Sequence, residues 1–343
     1  MNFEFLPFRW LLRRMMGQVK IWIPPRYAFK SIERRNKESP FMSLDRRSFL
    51  QGTALGLAGL GMSAATSRAS LAGKKVLFFT KSSGFEHSVI RRGPNGEASH
   101  ADKIFTEIGK NLGLEVTCSK DGRLFEPDQI GEWDAFAFET TGDLTKTGTD
   151  KQPAMSAKGE EALYAAISGG KGFMGMHCAT DTFGHHRGKG KDDPYIQMIG
   201  GEFISHGPQQ VAKLLIKDAK FPGASAFGQD EFKINDEWYS LINLADDIHV
   251  IYAQVTEGMN GWEYVRPNFP QTWSRQHGKG RVLYTSMGHR EDVWANEHYK
   301  TLLSGGLKFI LGQAEGSAKA DIKDVLPGYD VVPKRPAPAK KKA

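Results

Sequence analysis

The sequence predicts an α/β protein: an open parallel sheet with helices on both faces. Three observations lead there. Short apolar runs such as Lys74–Thr80 (KKVLFFT), Trp133–Glu139 (WDAFAFE) and Gly172–His177 (GFMGMH) lack polar alternation, as strands covered on both faces do. Segments with helical spacing of apolar residues separate them. Glycines and turn residues punctuate the joints.

Taken in order, Lys74–Thr80 is the first strand. Ala98–Leu112 follows as a helix, with Ile104, Ile108 and Leu112 on one face. Glu115–Ser119 and Trp133–Glu139 are the second and third strands. Ser156 is placed to cap a helix over Lys158–Ile167, which Gly169-Gly170 ends. Gly172–His177 is the fourth strand. Further on, Val211–Ile216, His249–Gln254, Thr272–Arg275 and Arg281–Ser286 read as strands, the last two joined by the turn His277-Gly278-Lys279-Gly280. Tyr299–Leu311 reads as a closing helix. No internal repeat and no interior linker appear, so one domain is expected over 73–315.

The 343 residues carry a formal net charge of +7, but the charge is not spread evenly. Residues 1–72 hold twelve basic and four acidic residues, and residues 331–343 hold five basic and no acidic ones. The stretch between has 29 basic and 35 acidic residues. A domain with that balance lacks the basic footprint of a nucleic-acid binder. Two cysteines, Cys118 and Cys178, are too few for a disulfide framework.

The basic amino-terminal segment reads as an address. Arg46-Arg47 precede Phe49-Leu50, a weakly apolar Gly/Ala run over 52–65, and small residues offering cleavage after Ala69 or Ala72. Paired arginines in this setting resemble a twin-arginine export signal, so translocation by that machinery to the periplasm or beyond is expected. The run is too short and glycine-rich for a stable membrane span. Residues 42–72 are taken as the signal and 1–41 as an over-extended start upstream of Met42. The Ala/Lys/Pro-rich 316–343 is expected to be a disordered tail.

In an open parallel sheet, ligands gather outside the carboxyl ends of the strands. His87, His177 and His289 fall at such ends, and His206 follows a long loop. Imidazole is the commonest metal ligand, and catalytic zinc takes three protein ligands with one open position. These four histidines are therefore the candidate metal ligands, with zinc first among divalent ions. Each alone is more often a hydrogen-bonded or surface histidine than a ligand; three at strand ends, each beside glycine, strengthen the joint case. His185-His186, in a Gly/Lys/Arg-rich loop, read as solvated. Cys178 is either a strand-end nucleophile or a buried inert thiol. Glu237, beside Trp238 and Tyr239, suits sugar recognition or an ordinary half-buried edge. Asp181 is either a substrate contact or a turn cap. No three-glycine turn follows the first strand, so no nucleotide cofactor is expected.

These residues also form a pattern. Gly175-Met176-His177-Cys178-Ala179-Thr180-Asp181-Thr182-Phe183 resembles the Gly-x-His-Ser-Ala-Thr-Asp-Thr-Phe signature of the ThuA-like, trehalose-utilisation family. So do Gly84-Phe85-Glu86-His87-Ser88, Ile199–Phe203 with His206, and Lys279–Val282 running on to Gly288–Trp294. The likeness spans about residues 74–312. It implies the flavodoxin-like fold of class I glutamine amidotransferases, with His177 on the elbow where those enzymes place cysteine. His289-Arg290-Glu291 resembles their His-Pro-Glu. Cys178 lies one residue off the elbow, where the family has serine, so glutaminase activity is not implied. What is implied is chemistry on trehalose or related glycosides and keto-sugars, in some members with a metal. On this reading His177, His289, Glu291 and Glu237 are the catalytic candidates, and Asp181, Trp238 and Tyr239 the substrate-binding ones. A non-catalytic carbohydrate-binding protein with a degenerate cleft is the alternative.

Overall fold

The computed structural model describes residues 71–337. The expected start extension, nearly all of the expected signal and the last six residues lie outside them. Eleven strands and six helices are described. They run β1 (Lys75–Phe79), α1 (His100–Leu112), β2 (Glu115–Ser119), β3 (Ala135–Phe138), α2 (Ala157–Ser168), β4 (Gly172–Met176) and α3 (Pro194–Ile199). Then come β5 (Glu202–His206), β6 (Gln210–Ile216), β7 (Glu231–Asp236), β8 (Tyr239–Ile242), β9 (His249–Gln254), β10 (Phe269–His277) and β11 (Gly280–Thr285). The chain closes with α4 (Glu291–Trp294), α5 (Glu297–Ile310) and α6 (Ile322–Val325).

Nine strands form one sheet in the order β2-β1-β3-β4-β11-β10-β9-β6-β7. The first five are parallel. Their order is that of a flavodoxin-like sheet, with the winding reversing between β1 and β3. The remaining four are antiparallel, which extends the expected parallel sheet into a mixed one. The cause is local: the turn after His277 is too short for a crossover, so β10 must run back against β11. Gly278 makes that turn with φ +59°, and a Cβ there would come within 2.3 Å of Ser168 Oγ. Strands β5 and β8 pair separately.

Alternation along the parallel strands feeds two cores. Val76, Phe78, Ala135, Ala137, Met174 and Met176 face the layer of α1 and α5. Leu77, Phe79, Phe136, Phe138 and Phe173 face that of α2 and α3. Helix α1 starts at a reciprocal cap: Ser99 Oγ accepts Asp102 N at 3.0 Å and Asp102 Oδ2 accepts Ser99 N at 3.1 Å. Gly113 ends it in the left-handed region. Its buried face carries Phe105, whose ring stacks on Phe78 at 4.4 Å. Ser156 caps α2 through Gly159 N, as expected. Cys118 packs against the first core and Cys178 lies in the second, so both are free thiols on opposite sides of the sheet.

The segment beyond 315 corrects the expectation of a disordered tail. Asp321 N donates to the carbonyl of Ile248 at 3.1 Å, and its Oδ1 accepts Val250 N at 2.9 Å. Ile322, Leu326 and Tyr329 then enter the second core. Those apolar residues are too sparse to dominate the segment's composition, but one helical turn brings them to one side. No helix among the described residues is long and apolar enough to cross a membrane.

Candidate functional site

Strand β4 delivers His177 to the carboxyl edge of the sheet on a sharp turn. Met176 is extended, His177 has φ +39°, and a 3-10 turn follows over His177–Asp181. A non-glycine residue in the left-handed region costs roughly 1–3 kcal/mol and persists only where its surroundings enforce it. Here they do. Tyr284 OH donates to the carbonyl of His177 at 2.7 Å. Gly175, two residues back, leaves room for the turn, since a Cβ there would stand 2.9 Å from Ile199 and 3.0 Å from Ala179. This strand-to-turn geometry is that of a nucleophile elbow, with an imidazole as its tip.

His177 Nδ1 lies 2.9 Å from the carbonyl oxygen of Ser286, which can only accept. The ring proton therefore sits on Nδ1, and Nε2 is directed into the site. There it faces His289 Nδ1 at 3.3 Å and Glu237 Oε2 at 3.6 Å. Glu237 Oε2 is 3.1 Å from His289 Nδ1. His87, after β1, completes the group, its ring 4.9 Å from that of His177 and 5.1 Å from that of His289. One donor atom from each of His87, His177, Glu237 and His289 lies within 4.8 Å of the other three.

Burial and charge set the protonation states. Burial pushes the Glu237 carboxyl up, but the imidazoles it faces, those of His177 and His289, outweigh it and hold it well below its ordinary value. Burial draws His289 down, and the carboxylate of Glu237 more than restores it, leaving it above its ordinary value. Burial, then the neighbouring imidazoles of His177 and His289, push His87 well below. The site is thus an ionised carboxylate among imidazoles, and His87 Nδ1 is buried without a hydrogen-bond partner. That donor set suits a divalent ion of the zinc class.

Asp236 escaped the sequence reading. It is fully buried, and it accepts Glu237 N at 2.9 Å and Gly288 N at 2.8 Å. It therefore joins the loop bearing Glu237 to the loop bearing His289. The signal was present only as an acidic residue beside Glu237, and nothing in sequence says which of the pair turns inward.

The other candidates divide. His206 stands at the rim, 43% exposed, with Nδ1 3.4 Å from Glu237 Oε1; it borders the four-residue group without joining it. Tyr239 is buried with its ring 4.3 Å from that of His177 and its hydroxyl 3.5 Å from His87 Nε2. Trp238 is not at the site: it is a core residue whose Nε1 donates to the carbonyl of Gln210. It sits in the joint before β8 and turns into the first core, while Tyr239, the first residue of β8, turns to the other side. Glu291 is also elsewhere. At the exposed start of α4 its carboxylate accepts Ser88 Oγ at 2.6 Å, which ties α4 to the loop carrying His87. Its charge still acts on His289, as the least of the influences that raise that imidazole. Asp181 accepts His186 Nε2 at 2.9 Å and faces His185 Nε2 at 3.4 Å. The pair expected to be solvated is thus gathered onto a carboxylate. Cys178 is buried in the second core, and burial pushes its thiol well above the ordinary range, the state of an inert thiol.

A sequence profile described as ThuA, trehalose utilisation, matches residues 75–310. No curated protein matches the chain. Among solved structures, a ThuA-like protein of Bacteroides uniformis ATCC 8492 superposes with a TM-score of 0.53 at 15% identity, covering 70% of this chain and 92% of that one. Another, from Parabacteroides merdae ATCC 43184, gives 0.51 at 13% identity, covering 77% and 98%. At such identities these two show a shared fold.

Proposed function

The chain belongs to the ThuA, or trehalose-utilisation, family, and from that premise we propose that it is an enzyme of sugar metabolism whose chemistry is carried by His87, His177, Glu237 and His289 around a divalent cation, zinc first. The observation that carries the reading is the convergence of these four donors, one at a strained elbow. A cation held there would supply Lewis-acid polarisation of a sugar carbonyl or activation of a water.

The chain's own groups do the rest. Ser286 fixes the His177 tautomer, so Nε2 is a standing acceptor. Without a cation Glu237 and His289 form a carboxylate–imidazole pair in contact; with a cation bound both would serve as ligands, His289 in its neutral form. Tyr239 packs against the His177 ring and holds it in place. His206, at the rim, is placed to meet the hydroxyls of a glycoside or keto-sugar. The twin arginines Arg46-Arg47 support export by the twin-arginine machinery to the periplasm or beyond.

The test is a panel of glycosides and their oxidised keto forms, offered to the full chain with and without chelator. Turnover that chelator abolishes and zinc restores is the expected result. Sugar affinity without turnover, unchanged by chelator, would support a carbohydrate-binding protein instead. Neither turnover nor affinity would contradict both readings.

A further inference from the structure

A second set of metal-ligand side chains lies outside the cluster described above. Asp181 Oδ1 is 2.9 Å from His186 Nε2 and 3.4 Å from His185 Nε2, and the two imidazole rings are 4.1 Å apart. One donor atom from each of the three lies within 4.8 Å of the others. The ring of Phe203 stands between this group and the first, 6.3 Å from that of His185 and 4.1 Å from that of Tyr239.

The independent observation is Glu202. Its side chain is 2% exposed, and its Oε1 has no hydrogen-bond partner while pointing at His185 Nδ1 from 3.5 Å. His185 is thus set between two carboxylates, Glu202 behind its Nδ1 and Asp181 beside its Nε2. An outer carboxylate on one ring nitrogen fixes the tautomer so that the other is free to ligate. The backbone is built for this approach. Gly184 has φ +37°, and a Cβ there would fall 2.5 Å from Glu202 Oε1, so only glycine lets the loop bring His185 over that carboxylate. Arg187 anchors the far end of the loop on Asp143 and Glu160, at 2.8 and 2.7 Å. The carbonyl of Asp181 accepts Gly142 N at 2.8 Å and His186 Nε2 at 3.1 Å, so a cation bound by His186 Nε2 would displace the proton that nitrogen carries here.

We propose that Asp181, His185 and His186 form a second divalent-cation site, with Glu202 as the outer carboxylate that orients His185. Two imidazoles and one carboxylate make a three-ligand set with an open position, the donor chemistry of zinc and its first-row neighbours. The partial exposure of both histidines leaves that position facing solvent.

The experiment counts zinc. The full chain is stripped with chelator, re-equilibrated with zinc ion alone, and examined by elemental analysis and titration calorimetry. The variants are His177→Ala, His185→Ala/His186→Ala, the triple combination, and Glu202→Gln. The expected result is that His177→Ala retains one zinc and the triple variant none. Removing His185 and His186 from the unmodified chain lowers the count by one. Glu202→Gln, which removes the carboxylate and leaves the ligands, weakens this site by about 10–100-fold. A count unchanged by loss of His185 and His186 would overturn the proposal and leave a hydrogen-bonded Asp–His group. A zinc lost with His185 and His186 but unaffected by His177→Ala would uphold it while removing the metal from the first cluster.

Discussion

His177 and His289 meet ring nitrogen to ring nitrogen, Nε2 to Nδ1, at 3.3 Å. The proton of His177 is already committed to the Ser286 carbonyl. In that tautomer the proton between the two facing nitrogens is the one on His289 Nδ1, and the carboxylate of Glu237 lies 3.1 Å from that nitrogen. A proton and a divalent cation compete for this space, because metal ligands must be deprotonated to bind.

Glu237→Gln tests the pairing. The amide keeps the volume but loses the charge that raises His289 and balances a cation. Zinc affinity, followed by calorimetry, is expected to fall. Turnover of any sugar found in the panel should fall with it, because the cation would supply the chemistry.

Asp236→Asn tests the joint between the two loops. An asparagine can accept from only one of Gly288 N and Glu237 N, and its amide then faces the other donor. Leaving a buried donor unmatched costs about 1–3 kcal/mol. Urea denaturation should show a loss in that range, and zinc affinity should drop with it, because the loops carrying Glu237 and His289 lose their common anchor.

Glu139, at the end of β3, predicts a pH dependence. It is fully buried with both carboxyl oxygens unpartnered, and burial pushes its pKa well above the ordinary value. Above the ordinary value the unfolded chain ionises while the folded chain must keep the proton, so this group destabilises the fold increasingly as pH rises. Glu139→Gln removes that penalty. It is expected to be more stable than the parent, with an advantage that grows between pH 5 and pH 8 by up to about 1.4 kcal/mol per pH unit. Urea melts at both pH values check it; an advantage that shrinks over that span would contradict the sign.

Cys178→Ala separates elbow from neighbour. The thiol is buried and held protonated, one residue from the elbow position. The variant should keep its turnover and zinc content while losing roughly 0.5–3 kcal/mol of stability as a trimmed core residue. Abolished turnover in a folded variant would restore the cysteine as nucleophile.

Much of the parallel half of the sheet was legible because its strands are buried on both faces and read as unbroken apolar runs. The antiparallel extension was less so. Strand β7, EFKIND, lies at the sheet edge, where its side chains are largely exposed or half-buried and its pattern is weak. The histidines were legible because strand ends one, four and eleven converge wherever the winding is known. Trp238 and Glu291 were misplaced for one reason. Sequence proximity to a site residue does not say which way a side chain turns, and the joint before β8 and the start of α4 each give neighbours different partners. His185 and His186 were hidden because Asp181, just before them, reads as a turn residue, and Glu202, which faces His185, comes only later in β5.

The central claim is that His87, His177, Glu237 and His289 hold a divalent cation. The most direct measurement is diffraction at the zinc absorption edge from crystals of the full chain grown with zinc. The account predicts an anomalous peak among those four side chains, in contact with His177 Nε2. Zinc-equilibrated crystals with no peak there would contradict it.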